Sequence, residues 1–490
     1  MDFIQELITI APGADTPIYL QITNAFIRNI RSGHLRKGLK LPGSRKVAGL
    51  LKVNRMTVVA AYEELQVQGW IEKIPKKGTF VKKELPLLSP ERIAENEEIY
   101  SIPKRTHFRF DEARIFPIPS SGFPPEGKLV FNDGFPDLRL TPMEALLRNM
   151  RSLSRRTVHK KYFMYGGSQG TRFLRETLSE YLSDTRGLPV TQENIQITKG
   201  AQMGIYLAAS ILLKPGDDII VGEPGFTGAE FAFRRLNANI NRVPVDHEGI
   251  DVDAVEHLCK TKKIRFVYVI PHHHHPTTVT LTPERRMKLL ELALTHKFAI
   301  LEDDYDYDFH YASKPMMPIA SLDRNGSVIY IGTLTKTLAP AIRIGFMIAP
   351  ENFIRAATHL RKSIDVQGDS LVENAIAELY REGTVTRHIK KSVKLYRERR
   401  EHLCQLLNEE LGNSVSFKVP DGGMAVWTTF RNTDLAVISQ KAYKEGLVIP
   451  DGREYDTPAK KYNAVRLGFA SLDFREQEQA VAILKELISN

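Results

Sequence analysis

The stretch VIYIGTLTKTLAPAIRIGFMIAP, Val328 to Pro350, decides the fold of this 490-residue chain. It begins and ends with apolar runs of strand length and places Lys336 three residues beyond Thr333, where the first run ends. Similar runs alternate with helical patterns elsewhere in the chain: NIQIT, DIIVGEP, IRFVYVIP and FAILEDD. Continuous apolar strands between helices are typical of a mainly parallel sheet that is covered on both faces. The sequence therefore predicts an α/β body.

The residues that follow these strands indicate a chemistry, because functional groups in such sheets gather at the carboxyl ends of the strands. A lysine beside packed apolar segments has a lowered pKa and can attack an aldehyde, as Lys336 would. Arg343, seven residues later, and the nearby hydroxyls suit a phosphate. Together they indicate pyridoxal 5'-phosphate. This cofactor needs a carboxylate at its ring nitrogen, for which Asp303 is the candidate, and Tyr305 could reach the ring hydroxyl.

The first 84 residues form a separate, basic segment, with 14 Lys+Arg against 7 Asp+Glu. Surplus positive charge on a small domain favours a polyanion partner. PIYLQITNAFIRNIR predicts a helix that ends before Gly33, and LPGSRKVAGLLKVNRMTVVAAYEELQ predicts two helices joined by a short turn. GWIEKIPKKGTFV predicts two short strands around a basic turn. This order of elements is typical of a winged helix-turn-helix domain.

The sequence predicts a winged-helix domain at 1–82, an extended linker rich in proline and charge at 83–128, and the body at 129–490. A small C-terminal α/β subdomain is expected from about residue 375. The chain has no apolar run of about 18 residues and no basic residue before its first apolar positions, so we expect a cytoplasmic protein without a membrane partner. Cys259 and Cys404 have no CxxC partner, which argues against a disulfide framework or a thiolate zinc site.

The N-terminal segment resembles the GntR-type winged helix through LPGSRKVA, VNRMTVVAAYEEL and GWIEKIPKKGTFV. The body resembles fold type I aminotransferases through GTLTKTLAP, APAIRIGF, TKGAQMG, EPGF and NAVRLGFA. Together, over residues 16 to 488, the chain is similar to the MocR-type bacterial regulators, a group that includes a GABA-responsive regulator. The resemblance implies a homodimeric transcriptional regulator that binds operator DNA. It also implies sensing of an amino acid, an amine or pyridoxal phosphate itself, by exchange of an aldimine at Lys336.

The same resemblance assigns roles to individual residues. Lys336 would form the Schiff base with the cofactor, while Arg466 and Phe135 would bind the effector, with Arg466 taking its carboxylate. The other expected cofactor contacts are Asp303, Tyr305, Arg343, Thr333, Thr335, Ala201, Gln202, Phe226 and, toward the neighbouring subunit, Tyr162. The expected DNA contacts are Ser44, Arg45, Arg55, Thr57, Lys76, Lys77 and Gly78.

The stretch IPHHHHPTTVT, Ile270 to Thr280, contains four consecutive histidines. Fold type I enzymes often have Asn-Pro-Thr-Gly where this chain has His-Pro-Thr-Thr, so transamination is expected to be slow. We expect His273 and His275 to lie near the cofactor ring or the effector, and His272 and His274 to lie on the loop surface. A histidine metal site would lack the cysteine or carboxylate spacing to complete it, and no metal is predicted. The alternative function is an active aminotransferase with an accessory DNA-binding domain.

Overall fold

The chain forms two compact units, Met1–Asp111 and Glu112–Asn490. The computed structural model describes residues 3–11, 13–14, 16–85, 106–109, 127–155, 162–311, 316–457 and 460–489. Most of the expected linker, 83–128, lies outside these residues. No helix within the described ranges is both long enough and apolar enough to cross a membrane.

The described segments contain both α-helices and β-strands. The α-helices are α1 Phe3–Leu7, α2 Ile18–Arg31, α3 Ser44–Leu51, α4 Arg55–Val67, α5 Met143–Arg155, α6 Arg172–Arg186, α7 Ala201–Leu212, α8 Thr227–Arg235, α9 Val252–Thr261, α10 Pro283–His296, α11 Ile319–Leu322, α12 Glu351–Asp365, α13 Ser370–Arg381, α14 Thr384–Leu406, α15 Leu435–Lys444 and α16 Phe474–Ser489. The strands are β1 Lys40–Leu41, β2 Ile71–Ile74, β3 Gly78–Val81, β4 Leu129–Val130, β5 Ile195–Thr198, β6 Asp218–Glu223, β7 Asn239–Asp246, β8 Gly249–Ile250, β9 Ile264–Val269, β10 Ala299–Asp304, β11 Val328–Thr333, β12 Gly345–Ile348, β13 Val415–Phe417, β14 Ala425–Phe430, β15 Leu447–Val448 and β16 Ala464–Gly468.

The N-terminal unit is a winged helix, as the sequence predicts. Helices α3 and α4 are joined by a short turn in which Lys52 adopts a left-handed conformation with φ of 53°. The side chain of Asn54 caps α4 by accepting a hydrogen bond of 2.8 Å from the backbone N–H of Met56. The antiparallel sheet has the order β1–β3–β2. Buried apolar side chains of α2, α3, α4 and the sheet hold this unit together.

The body is built on an eight-stranded sheet with the order β5–β12–β11–β10–β9–β6–β7–β8. The five strands from β11 to β7 in this order run parallel, whereas β12 is antiparallel to both of its neighbours and β8 to β7. One face packs against α7, α8 and α12, and the other against α9 and α10. All six apolar runs singled out in the sequence form strands of this sheet, so the predicted α/β fold is confirmed.

A smaller α/β region forms around the antiparallel sheet β13–β14–β16 and helices α14, α15 and α16. It also includes the start of the body, because β4 pairs in parallel with β15. The backbone N–H of Gly468 donates to the carbonyl of Asn132 at 2.9 Å, immediately beyond β4. These contacts fix residues 131–135 beside β16, which positions the site described below.

Candidate functional site

Lys336 lies in the turn that follows β11, beside the segment fixed by the smaller region. Its Nζ donates a hydrogen bond of 2.8 Å to the carbonyl of Gly134 and lies 4.2 Å from the ring centroid of Phe135. Burial lowers the pKa of Lys336 to about 8, although the carboxylate of Asp133 acts in the opposite direction. A larger fraction of this amine is therefore neutral near pH 7 than for an exposed lysine, as a nucleophile requires.

Asp303 stands at the end of β10 with only 2% of its surface exposed. Its Oδ2 accepts a hydrogen bond of 2.8 Å from the hydroxyl of Tyr268, while its buried Oδ1 has no partner among the described residues. Burial raises the pKa of Asp303 to about 7, against the lowering effect of the Tyr268 hydrogen bond. A buried carboxylate oxygen without a donor fits a ligand that supplies one, and a protonated pyridine nitrogen is such a donor.

Arg343 lies against the N-terminus of α7. Its Nη2 donates to the carbonyl of Lys199 at 2.7 Å, and a Cβ on Gly200 would come within 2.8 Å of the same nitrogen. Gly200 has a φ of 80° and no side chain that could cap the helix, which begins at Ala201. An uncapped helix N-terminus beside a guanidinium suits an anion such as a phosphate.

Other expected cofactor contacts lie around these groups. The hydroxyl of Thr333 donates to that of Thr335 at 2.9 Å, just before Lys336 in the chain. The side-chain amide of Gln202 donates to the carbonyl of Gly228 at 2.6 Å. Tyr162 is half-buried and packs against the apolar cluster of α5, α6 and α13.

Arg466 of β16 has 2% of its side chain exposed, and its guanidinium forms hydrogen bonds and an ion pair within the chain. Its Nε donates to Oδ1 of Asp133 at 2.5 Å, Nη1 to the carbonyl of Pro276 at 3.2 Å and Nη2 to the hydroxyl of Tyr305 at 3.4 Å. The Tyr305 hydroxyl in turn donates to the carbonyl of His273 at 3.0 Å. Arg466, which was expected to bind the effector carboxylate, is thus already paired with the carboxylate of Asp133.

The prediction that His272 and His274 lie on the loop surface is wrong, because 1% and 6% of their surfaces are exposed. Nδ1 of His272 lies 3.3 Å from the carboxylate of Asp304, and Nδ1 of His274 lies 3.0 Å from the hydroxyl of Thr277. Burial lowers the pKa of His274 to about 3. Polar partners within the fold allow both rings to be buried.

The other two histidines are also buried, on different partners. Nδ1 of His273 lies 2.8 Å from Oδ1 of Asp306. Nε2 of His275 lies 2.9 Å from Oδ2 of Asp133, and its ring meets the edge of Phe226 with centroids 5.1 Å apart. His275 therefore belongs to the group around Arg466 and Asp133, whereas the His273 side chain is paired with Asp306.

Two residues of the site, Asp133 and Tyr268, are absent from the sequence predictions. Asp133 lies two residues before Phe135, the residue of the NDGFPD motif that the family resemblance assigns to effector binding. Tyr268 carries a hydroxyl within the apolar run IRFVYVI. Because a buried hydroxyl needs a hydrogen-bond partner, this residue could have been singled out from the sequence.

The expected DNA contacts lie on the N-terminal unit. Ser44 is the first residue of α3 and Arg55 the first of α4. Lys76 and Lys77 lie in the turn between β2 and β3. The exposed cations are Arg45, Arg55, Lys76 and Lys77, while Ser44, Thr57 and Gly78 are half-buried. None of these cations pairs with an acidic side chain in the part of the chain that the structure describes. Exposed cations at helix N-termini and in a basic turn suit contacts with phosphates.

Comparisons with known proteins agree with both units. The aminotransferase class I and II family matches residues 127–484, and the gntR family of bacterial regulatory proteins matches residues 18–81. The chain is 31% identical to aromatic-amino-acid aminotransferase 1 of Thermococcus litoralis, over 66% of this chain and 79% of the relative. It is 26% identical to the probable rhizopine catabolism regulatory protein MocR of Rhizobium meliloti, over 96% of this chain and 94% of the relative.

A solved structure supports the same assignment for the body. The kynurenine aminotransferase of Pyrococcus horikoshii, crystallised with PMP, superimposes with a TM-score of 0.69 at 29% identity, covering 74% of this chain and 91% of that one. The chain therefore belongs to the pyridoxal-phosphate-dependent aminotransferase class I and II family and, through its gntR-type DNA-binding domain, to the MocR-type transcriptional regulators.

Proposed function

We propose that this DNA-binding regulator responds to a small amine or amino acid, or to pyridoxal phosphate itself, at Lys336. The observation that carries the proposal is the joint arrangement of Lys336, whose pKa is lowered, and the buried, half-satisfied carboxylate of Asp303. Asp303 lies at the end of β10, and Lys336 follows its parallel neighbour β11. The chain couples this arrangement to a winged helix with exposed cations.

The residues present fit the cofactor. Pyridoxal phosphate supplies an aldehyde that condenses with a primary amine. Lys336 would provide that amine, Asp303 would accept a hydrogen bond from the ring nitrogen, and Arg343 with the N-terminus of α7 would bind the phosphate. Phe226 would line the ring. The buried Oδ1 of Asp303 has no partner among the described residues, and the N-terminus of α7 has no side-chain cap, so such a ligand would satisfy both.

A ligand that competes with Lys336 would change the balance between conformations of the body only if it binds them with different affinity. We propose that this difference alters how paired winged helices bind an operator. A homodimer suits this role, because two-fold symmetric proteins recognise paired half-sites. A regulator of this kind would act in the cytoplasm, where the operator lies.

The test is DNA binding by the full-length, cofactor-loaded protein with and without a panel of amines and amino acids. We expect at least one ligand to change the operator affinity of the wild type and to have no effect on Lys336→Ala. Lys362→Ala, which removes an exposed lysine of α12, is the matched control and should respond like the wild type. An equal response of wild type and Lys336→Ala would contradict the proposal.

The alternative function is transamination, the activity named for the Thermococcus litoralis relative, to which the chain is 31% identical. Turnover distinguishes the two functions. A regulator needs no net conversion of its ligand, whereas an aminotransferase would convert an amino donor and a keto acid continuously. Sustained turnover at rates typical of enzymes, about 1 per second or more, would support the second function.

A further inference from the structure

The carboxylate of Asp133 forms an ion pair with the guanidinium of Arg466. Oδ1 accepts from Nε of Arg466 at 2.5 Å, and Oδ2 lies 2.9 Å from Nε2 of His275. The two charged side chains differ in access, because 38% of the Asp133 side chain is exposed but only 2% of Arg466. A small molecule that enters the site therefore meets the carboxylate and not the guanidinium.

Asp133 is held as an anion. Partial burial acts to raise its pKa, but the charge of Arg466 and the hydrogen bond with His275 outweigh this effect and keep the pKa well below the usual range. The Asp133 charge also acts on Lys336, whose Nζ contacts the carbonyl of the next residue, Gly134. A second carboxylate placed here would be repelled by the first, while a cation would be attracted.

His275 adds an acceptor to the same place. Burial lowers its pKa, so the ring is neutral at pH 7, and the neutral ring has one donor and one acceptor nitrogen. With the proton on Nε2 donated to Asp133, Nδ1 is the acceptor. This nitrogen is buried and has no partner among the described residues. The three nitrogens of Arg466, in contrast, each already have an acceptor.

We infer that the ligand competing with Lys336 is a small amine whose far end is a cation or a hydrogen-bond donor, such as a diamine. Asp133 is then a specificity-determining residue that takes the place of a ligand carboxylate on Arg466. The inference rests on the proposed function, because it names the ligand class of the same site. It departs from the expectation that Arg466 binds the carboxylate of an amino acid.

The experiment uses three probes with four-carbon chains: 1,4-diaminobutane, 4-aminobutanoate and butylamine. Each is titrated into full-length protein loaded with pyridoxal phosphate, and the absorption band of the lysine-bound cofactor is followed. We expect the diamine to half-saturate the wild type at a concentration about tenfold or more below that of 4-aminobutanoate, with butylamine between them. A preference of the wild type for 4-aminobutanoate would overturn the inference.

Two variants test the role of the charge. Asp133→Asn keeps the shape of the side chain and should reduce the preference for the diamine about tenfold or more. Asp133→Glu keeps the charge and should retain the preference. An unchanged preference in Asp133→Asn would also overturn the inference. The wild-type ranking needs no variant, so it decides the question even if Asp133→Asn does not fold.

Failure of the proposed function has a different signature. If none of the three probes, and none of the wider panel of amines and amino acids, shifts the band of the wild type, then ligand exchange at Lys336 is itself excluded and the inference falls with it. If the probes shift the band but the acid is preferred, only the ligand class is wrong.

Discussion

The two units of this protein use positive charge in opposite ways. In the winged helix, Arg45 and Arg55 are exposed and pair with no described acidic side chain. In the body, Arg399 and Arg466 are almost fully buried and lie against Asp137 and Asp133. Exposed cations can meet a diffusing polyanion at little cost in desolvation, whereas buried ones hold the fold and the site in place. The difference shows that the environment of an arginine, more than its presence, decides its function.

Arg399→Met should have the largest effect on stability. Nη1 of Arg399 lies 2.9 Å from Oδ2 of Asp137, and both side chains are less than 10% exposed. Removing Arg399 leaves Oδ2 of Asp137 and the carbonyl of Ala470 without their donor, while Arg139 still pairs with Oδ1 of Asp137 at 2.8 Å. Leaving such buried acceptors unsatisfied should cost about 2–3 kcal/mol of unfolding free energy. Urea unfolding, followed by the fluorescence of Trp427 in a Trp70→Phe background, measures this loss.

Arg397→Met is the matched control for that comparison. Arg397 is on the same helix and pairs with Glu401, but 57% of its side chain is exposed. Exposed pairs contribute about 0–1 kcal/mol, so this variant should unfold close to the wild type. Equal losses of unfolding free energy in both variants would contradict the expected difference between buried and exposed ion pairs.

Asp303→Asn should weaken cofactor binding. The substitution replaces a carboxylate, which would be ionised opposite the protonated ring nitrogen, by a neutral amide. A charged hydrogen bond to that nitrogen is lost, and such bonds are worth about 1.5–3 kcal/mol. The dissociation constant, measured by absorbance titration of the apo-protein, should rise about tenfold to a hundredfold. Tyr268→Phe, which keeps the carboxylate, should change it less, and the reverse order would argue against a role for Asp303 at the ring.

Arg55→Ala should weaken DNA binding without affecting stability. The loss of one phosphate contact should lower operator affinity about tenfold and reduce the slope of log affinity against log salt by about 1. The free energy of unfolding should change by less than about 0.5 kcal/mol, because Arg55 is exposed. Arg28→Ala, an exposed substitution on α2, is the control. A similar loss of affinity there would indicate a general charge effect.

The smallest expected effect concerns pH. Burial lowers the pKa of Lys336 to about 8, so its neutral, nucleophilic fraction rises as pH increases through this value. The rate at which apo-protein takes up pyridoxal phosphate should follow the same rise, with a midpoint near pH 8. The midpoint should fall in Asp133→Asn, which lacks the carboxylate that raises this pKa. A midpoint of about 10.4, as for an exposed lysine, would show that Lys336 is not desolvated.

The sequence alone determined both folds and the place of Lys336. Buried strands appear as uninterrupted apolar runs and amphipathic helices as periodic ones, so β5, β6, β9, β10, β11 and β12 could be predicted from their own residues. The winged helix could be predicted for the same reason. Lys336 and Asp303 were found because the ends of parallel strands meet at one edge of the sheet.

Only the tertiary structure decided the polar contacts of the site. Asp133 and Arg466 are 333 positions apart in the chain, and their pairing depends on the fixing of residues 131–135 beside β16. The burial of His272 and His274 depends in the same way on partners outside any local pattern. Local periodicity reports which residues are apolar, but the choice of a partner for a buried charge depends on long-range packing. For that reason, only the folded chain shows that Arg466 is paired with Asp133. The inferred ligand class depends on this pairing.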